Sequence, residues 1–83
     1  TKVVIQGYAY VPAAIRVKVG DTVTWTNKDN VRHDIISDDN SSDAPSSQLL
    51  ARGQSYSFKF TKAGTYNYRC SPHPYMKATV IVE

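Results

Sequence analysis

Apolar and polar residues alternate with a period of two along most of this chain. Ile15, Val17 and Val19 alternate with Arg16 and Lys18, the pattern of a strand with one buried face. Gly20-Asp21 predicts a turn, after which Val23 and Trp25 alternate with Thr22, Thr24 and Thr26 in a run rich in β-branched residues. Tyr56, Phe58 and Phe60 repeat the alternation against Ser55, Ser57, Lys59 and Thr61. Ala63-Gly64 interrupts it; Tyr66, Tyr68 and Cys70 then share one face of a further strand, and Met76, Ala78, Val80 and Val82 one face of the last. Residues 2–9 and 33–37 also read as strands. No segment sustains a helical period. Many short alternating strands joined by Gly and Asp turns predict an all-β fold, a β-sandwich.

Two stretches break the alternation. Residues 10–14, YVPAA, carry a proline that disfavours a central strand. Residues 38–47, DDNSSDAPSS, are polar and turn-forming, and predict the longest loop, a solvated connection from one sheet to the other. Trp25 is expected to fill the space between the sheets. Tyr66 follows a glycine turn, where a tyrosine hydroxyl can bond back to the backbone and lock a sandwich corner. Tyr68, on the face of Cys70, is expected to pack beneath that end of the strand.

Length and charge narrow the function classes. The 83 residues predict one domain spanning residues 1–83, and a chain of this size buries only about 60% of its unfolded surface, so a bound metal would add usefully to stability. The 41% apolar and 20% charged fractions are those of an ordinary soluble globular protein. No apolar run approaches the ~20 residues of a membrane span, and no signal peptide is recognisable. The chain starts at Thr1 rather than methionine, which points to a processed or trimmed form. Ten Lys and Arg against seven Asp and Glu give a net charge of +3. The basic residues are dispersed from Lys2 to Lys77 rather than clustered with aromatics, so no nucleic-acid partner is expected.

The lone cysteine cannot form an internal disulfide, and its neighbourhood carries the chemistry. Cys70, His73 and Met76 form a C-x2-H-x2-M spacing that gathers the only cysteine, the only methionine and one of two histidines. Cys70 ends one predicted strand and Met76 begins the next, so the connecting loop can aim all three side chains at one end of a sandwich. His33 opens a strand far upstream and completes the set if that strand ends nearby. Pro72 and Pro74 flank His73, fix φ on both sides and remove two backbone donors, which stiffens the loop. Two imidazoles, a thiolate and a weak axial thioether are the donor set of a blue-copper electron-transfer centre.

On these residues the chain resembles the cupredoxins, the small blue copper proteins. The stretches V-K-V-G-D-T-V-T-W at 17–25, A-G-T-Y at 63–66, C-S-P-H-P-Y-M at 70–76 and the terminal V-I-V-E carry the resemblance. It covers most of the chain from Ile15 onward together with the first strand, and is poor at 38–47. The short loop with both prolines is most similar to the amicyanin branch; plastocyanins and pseudoazurins place more residues between histidine and methionine. The resemblance implies a Greek-key β-sandwich of roughly seven or eight strands, with one type 1 copper ion near one end. It implies His33, Cys70 and His73 as equatorial ligands and Met76 as the axial one. It further implies no enzymatic activity, but the shuttling of single electrons by a monomer in the periplasm or another extracytoplasmic space. Redox protein partners are expected to meet an apolar patch around His73 made by Pro72, Pro74 and Tyr75. In amicyanin-like sites the loop histidine can protonate and leave Cu(I) at mildly acidic pH, which implies a potential that climbs as pH falls.

Three positions depart from the family pattern. Asp34 stands where asparagine is common; in relatives that residue bonds the loop residue after the cysteine, here Ser71. Arg32 stands where proline is frequent, and is expected to pair with Asp34 and offset its charge. Arg69 replaces the tyrosine that plant plastocyanins use in partner contact, which argues against an acidic docking surface of that type. Rival functions use overlapping residues. Structural zinc takes four S or N ligands and no methionine, and a Cys-His hydrolase needs a cleft and an orienting third residue. A periplasmic copper carrier, which hands its metal on, is the stronger alternative because it would use similar soft ligands.

Overall fold

Eight strands form among the described residues, and they follow the alternation closely. The structure is a computed structural model that describes every residue except Asn40. The strands are β1 (Lys2–Ile5), β2 (Tyr10–Val11), β3 (Ala14–Val17), β4 (Thr22–Asn27), β5 (Ile36–Ser37), β6 (Ser55–Lys59), β7 (Gly64–Arg69) and β8 (Lys77–Val82). They make two four-stranded sheets, in the orders β2-β1-β4-β6 and β3-β8-β7-β5. β1 lies parallel to β4 and β3 parallel to β8, while the remaining pairs are antiparallel. Between β2 and β7 every connection crosses from one sheet to the other, whereas β1–β2 and β7–β8 are hairpins within a sheet. The result is the expected all-β Greek-key sandwich, with no helix among the described residues.

The inward faces supply the core. Val23, Trp25 and Asn27 of β4 alternate inward, opposite Ala78, Val80 and Val82 of β8. Trp25, Phe60, Ile5, Ile35, Val23 and Val80 are fully buried, and a fully buried side chain of this kind contributes about 1.5–3 kcal/mol. Trp25 fills the centre as expected, its Nε1 donating to the Tyr68 hydroxyl at 3.0 Å. The Tyr66 hydroxyl donates to the Lys62 carbonyl, which closes the β6–β7 corner in the expected way.

Several boundaries differ from the sequence reading, each for a local reason. The first strand ends at Ile5, because Gly7 and Tyr8 both take positive φ and turn the chain back. Tyr10–Val11, expected to be irregular, pairs antiparallel with Val4 and Ile5. Val19 is 49% exposed, since the β3 pattern gives way at Lys18 to a turn in which Lys18 N–H donates to Asp21 Oδ2 at 2.8 Å. Only Ile36–Ser37 of residues 33–37 is strand; His33 instead exchanges backbone bonds with Leu50, at 3.2 and 2.7 Å. The loop at 38–47 does cross between sheets, but Ala44 and Pro45 are buried beneath it, and Asn40 lies outside the described residues. No helix of the described residues is long and apolar enough to cross a membrane.

The two ends of the sandwich differ. Residues 6–9, 28–35 and 70–76 meet at one end, tied by Lys28 N–H to the Ile5 carbonyl at 2.8 Å and by Ser71 to Asp34. The opposite end carries both termini and the Gly20 and Gly64 turns, joined by Gly20 N–H to the Phe60 carbonyl at 2.7 Å. The candidate ligands all lie at the first end.

Candidate metal centre

The β7–β8 hairpin loop folds onto itself through its own backbone. Pro72 and Pro74 have no N–H to satisfy. Cys70 N–H donates to the Met76 carbonyl at 3.1 Å, His73 N–H to the Cys70 carbonyl at 3.2 Å, and Met76 N–H to the His73 carbonyl at 2.8 Å. Cys70 and Met76 continue the inward faces of β7 and β8 and are fully buried, while His73, midway between them, is half-buried. The three residues predicted from the C-x2-H-x2-M spacing are thus gathered by one closed loop.

His33 arrives from the β4–β5 connection. Asn27, buried at the end of β4, organises that connection: its Nδ2 donates to the carbonyls of Val31 and Leu50 at 2.9 and 2.8 Å, and its Oδ1 accepts from Asp29 N–H at 2.9 Å. His33 is fully buried, and its Nε2 lies 2.9 Å from Asp29 Oδ2. A carboxylate can only accept from an imidazole, so Nε2 carries a proton, and in the neutral ring this leaves the lone pair on Nδ1. That Nδ1 lies 3.6 Å from Cys70 Sγ, and His73 Nδ1 lies 3.5 Å from the same sulfur. The three ligand atoms fall within 4.8 Å of one another. A sulfur within reach of two imidazole nitrogens, with a buried methionine at the end of the same loop, is a donor set that fits a soft metal ion.

The surroundings favour a charged sulfur only partly. Burial pushes the Cys70 thiol above its ordinary value, against the backbone N–H groups of Asp34 and His73, which favour the thiolate. A bound cation resolves this conflict, because a coordinating thiol gives up its proton. Both Asp34 oxygens face Ser71: Oδ1 accepts the Ser71 N–H at 2.7 Å, and Oδ2 accepts its hydroxyl. The expected Asp34–Ser71 link is therefore present in doubled form. The expected Arg32–Asp34 pair is not, because Arg32 is exposed while the buried Asp34 carboxylate is taken up by Ser71. Arg69 instead pairs with Asp38 at 2.9 Å on the surface. Beneath the loop, the Tyr10 hydroxyl donates to the Asp34 carbonyl, and the Tyr10 and Tyr68 rings meet edge-on at 4.7 Å. Burial pushes the Tyr68 phenol up to about 12, so it stays neutral as it accepts the Trp25 N–H.

Comparison with known proteins agrees with this geometry. Residues 1–83 match the family described as copper binding proteins of the plastocyanin/azurin family. The chain is a member of that family. It is 41% identical over 76 residues to amicyanin from Paracoccus denitrificans, covering 89% of this chain and 58% of that one. It is 40% identical over 82 residues to plastocyanin from Scenedesmus fuscus, covering 87% of this chain and 84% of that one. A reduced mutant of amicyanin superposes with a TM-score of 0.93 at 38% identity, over 100% of this chain and 81% of the other. The chain thus spans under two thirds of the Paracoccus amicyanin, but most of the algal plastocyanin.

Within this plastocyanin/azurin frame, three residues around the site were not legible beforehand. Asp29, four residues before His33, sits in an N-K-D-N run that reads as an ordinary turn. Asn27 ends a strand as many asparagines do. Tyr8 lay inside a predicted strand, yet its ring approaches His33 at 5.3 Å and His73 at 5.0 Å, nearly perpendicular to both. The only available signal was Gly7 itself, since an isolated glycine inside a strand pattern can mark a bulge or a turn.

Proposed function

We propose that this chain is a type 1 copper electron carrier in which His33, Cys70, His73 and Met76 hold one copper ion. The observation that carries the reading is the Cys70 sulfur lying 3.6 and 3.5 Å from the Nδ1 atoms of His33 and His73. When bound, copper supplies a one-electron Cu(II)/Cu(I) couple, and a trigonal His2Cys set with a weak thioether suits both charge states. The protein's part is to keep that donor set still. Asp29 fixes the His33 tautomer, Asp34 holds Ser71 and with it the start of the ligand loop, and two prolines limit the loop's own freedom. Donors held in this way need little rearrangement when the electron arrives, which keeps the barrier low.

His73 is the half-buried ligand and forms the route in and out. Pro72, Pro74 and Tyr75 beside it are exposed, Tyr75 at 69%, and give a small apolar patch for brief contact with redox proteins. A patch of this size suits a transient, low-area encounter by a monomer rather than a permanent complex. The similarity to amicyanins supports work in the periplasm or an equivalent compartment. Repeated reduction and reoxidation of the loaded protein, in the presence of a strong Cu(I) chelator, tests the reading. An electron carrier keeps its copper through many cycles; loss of the metal at the first reduction would favour a copper carrier instead.

A further inference from the structure

The β1–β2 hairpin turns through Gly7 and Tyr8, with Gln6 N–H donating to the Ala9 carbonyl at 2.9 Å. Both central residues take positive φ, 65° at Gly7 and 57° at Tyr8, as a two-residue turn of type I′ requires. Such turns favour Gly or Asn at these positions, because a side chain there crowds the backbone. Tyr8 is the one non-glycine residue with positive φ among the described residues. A local rule broken at one residue calls for a compensating contact.

The compensation comes from Asp29. Its Oδ1 accepts Gly7 N–H and its Oδ2 accepts Tyr8 N–H, both at 2.9 Å, and the same Oδ2 accepts His33 Nε2. One carboxylate therefore anchors both the turn that carries Tyr8 and the ring of His33. The two histidines are not held alike. His33 is buried and fixed by Asp29, whereas the Nε2 of His73 has no protein partner among the described residues. Besides the tilted His33 ring at 5.1 Å, what His73 has is tyrosine edges: Tyr8 at 5.0 Å and 83°, and the exposed Tyr75 at 6.0 Å and 69°. Perpendicular rings at such separations attract one another.

We propose that Tyr8 is a positioning residue for the metal centre, holding the His73 ring in the orientation that points Nδ1 at Cys70. It does for the half-buried histidine what Asp29 does for the buried one, and Asp29 couples the two by anchoring the turn. The proposal rests on the ligand assignment above, so its first test avoids copper.

In the metal-free protein, the three-bond couplings of the His33 and His73 side chains report whether each occupies one rotamer. Tyr8→Gly removes the ring from a backbone position that glycine adopts freely, so the denaturation midpoint should hold or rise. The expected result is that His73 loses its single-rotamer couplings while His33 keeps them, and that Tyr8→Phe, which retains the ring, restores them. In the copper-loaded protein, Tyr8→Gly should then speed copper release to a chelator by roughly two- to tenfold, the scale of one aromatic pair. A single His73 rotamer in Tyr8→Gly would overturn the proposal. So would averaging of both histidines with a lowered midpoint, since that marks the turn as merely structural. A wild type that binds no copper would defeat the ligand assignment and leave the rotamer result standing.

Discussion

The two ends of this sandwich solve the same problem, closing strands into loops, by different means. At the far end, Gly20 and Gly64 take the positive φ that tight turns need, and backbone bonds such as Gly20 to Phe60 and Phe60 to Asp21 link the chain segments. At the metal end, backbone bonds such as Lys28 to Ile5 are present too, but side chains add links across long stretches of sequence. Asp29 reaches back to Gly7 and Tyr8, Asn27 reaches Leu50, Tyr10 reaches the Asp34 carbonyl, and Asp34 reaches Ser71. Backbone turns fix the path of the chain; side-chain links fix where particular atoms sit. The proposed site, which joins His33 to a loop 37 residues further on, needs the second kind.

Breaking the links at each end should therefore have separable effects. Asn27→Ala is expected to have the largest. It leaves the Val31 carbonyl and the Asp29 N–H without their Asn27 partner, and the Leu50 carbonyl with the His33 N–H alone, at about 1–3 kcal/mol for each group left unpaired. A stability loss of about 3 kcal/mol or more in urea denaturation is expected; a loss under about 1 kcal/mol would mean that water replaces the amide at little cost.

Asp34→Asn keeps the shape of the Ser71 contact and removes a buried negative charge beside Cys70. That charge favours Cu(II), and no Arg32 pair offsets it. The reduction potential should rise by about 60 mV or more, equivalent to one decade in the Cu(II)/Cu(I) ratio. An unchanged or lowered value at neutral pH would contradict the assignment. Tyr66→Phe tests the other end by removing the hydroxyl that bonds the Lys62 carbonyl. It should cost about 1 kcal/mol of stability and leave the visible spectrum of the copper form untouched. A spectral change would show that the two ends are coupled.

The smallest effect concerns acid. Burial works to raise the Asp29 carboxyl, but the Tyr8 and Gly7 N–H groups and His33 outweigh it and hold the group below its ordinary value. A carboxyl lowered in the folded state stabilises the fold above its unfolded value and loses that contribution as pH falls through the folded one. In metal-free protein, the stability difference between wild type and Asp29→Asn should be full at neutral pH. It should shrink as pH drops below the ordinary carboxyl value of about 4. Urea midpoints at both pH values check this; a constant difference would mean that Asp29 acts by shape alone.

This contrast also explains what could be read from the chain. Strand faces follow from alternation, so Val23, Trp25, Tyr66, Tyr68, Val80 and Val82 were legible one by one. The far-end turns announce themselves as Gly20-Asp21 and Ala63-Gly64, and the ligand loop announces itself because Cys70, His73 and Met76 are close in sequence. Asp29 and Tyr8 carry no such mark. Asp29 acts on residues 21 and 22 positions away, and neither Asp nor Tyr is unusual in its own segment. Arg32 misled for a related reason: closeness in sequence to Asp34 suggested a pair, while Ser71, 37 residues on, took the carboxylate. Residues that hold a site in place are known by their partners, and the partners are set by the fold.

The most direct test of the central claim is the visible spectrum of the purified protein after one equivalent of Cu(II) is added. The expected result is an intense blue thiolate-to-copper absorption that ascorbate bleaches and reoxidation restores, and that is lost in Cys70→Ser. A colourless or only weakly absorbing protein, or an intense band that survives in Cys70→Ser, would contradict it.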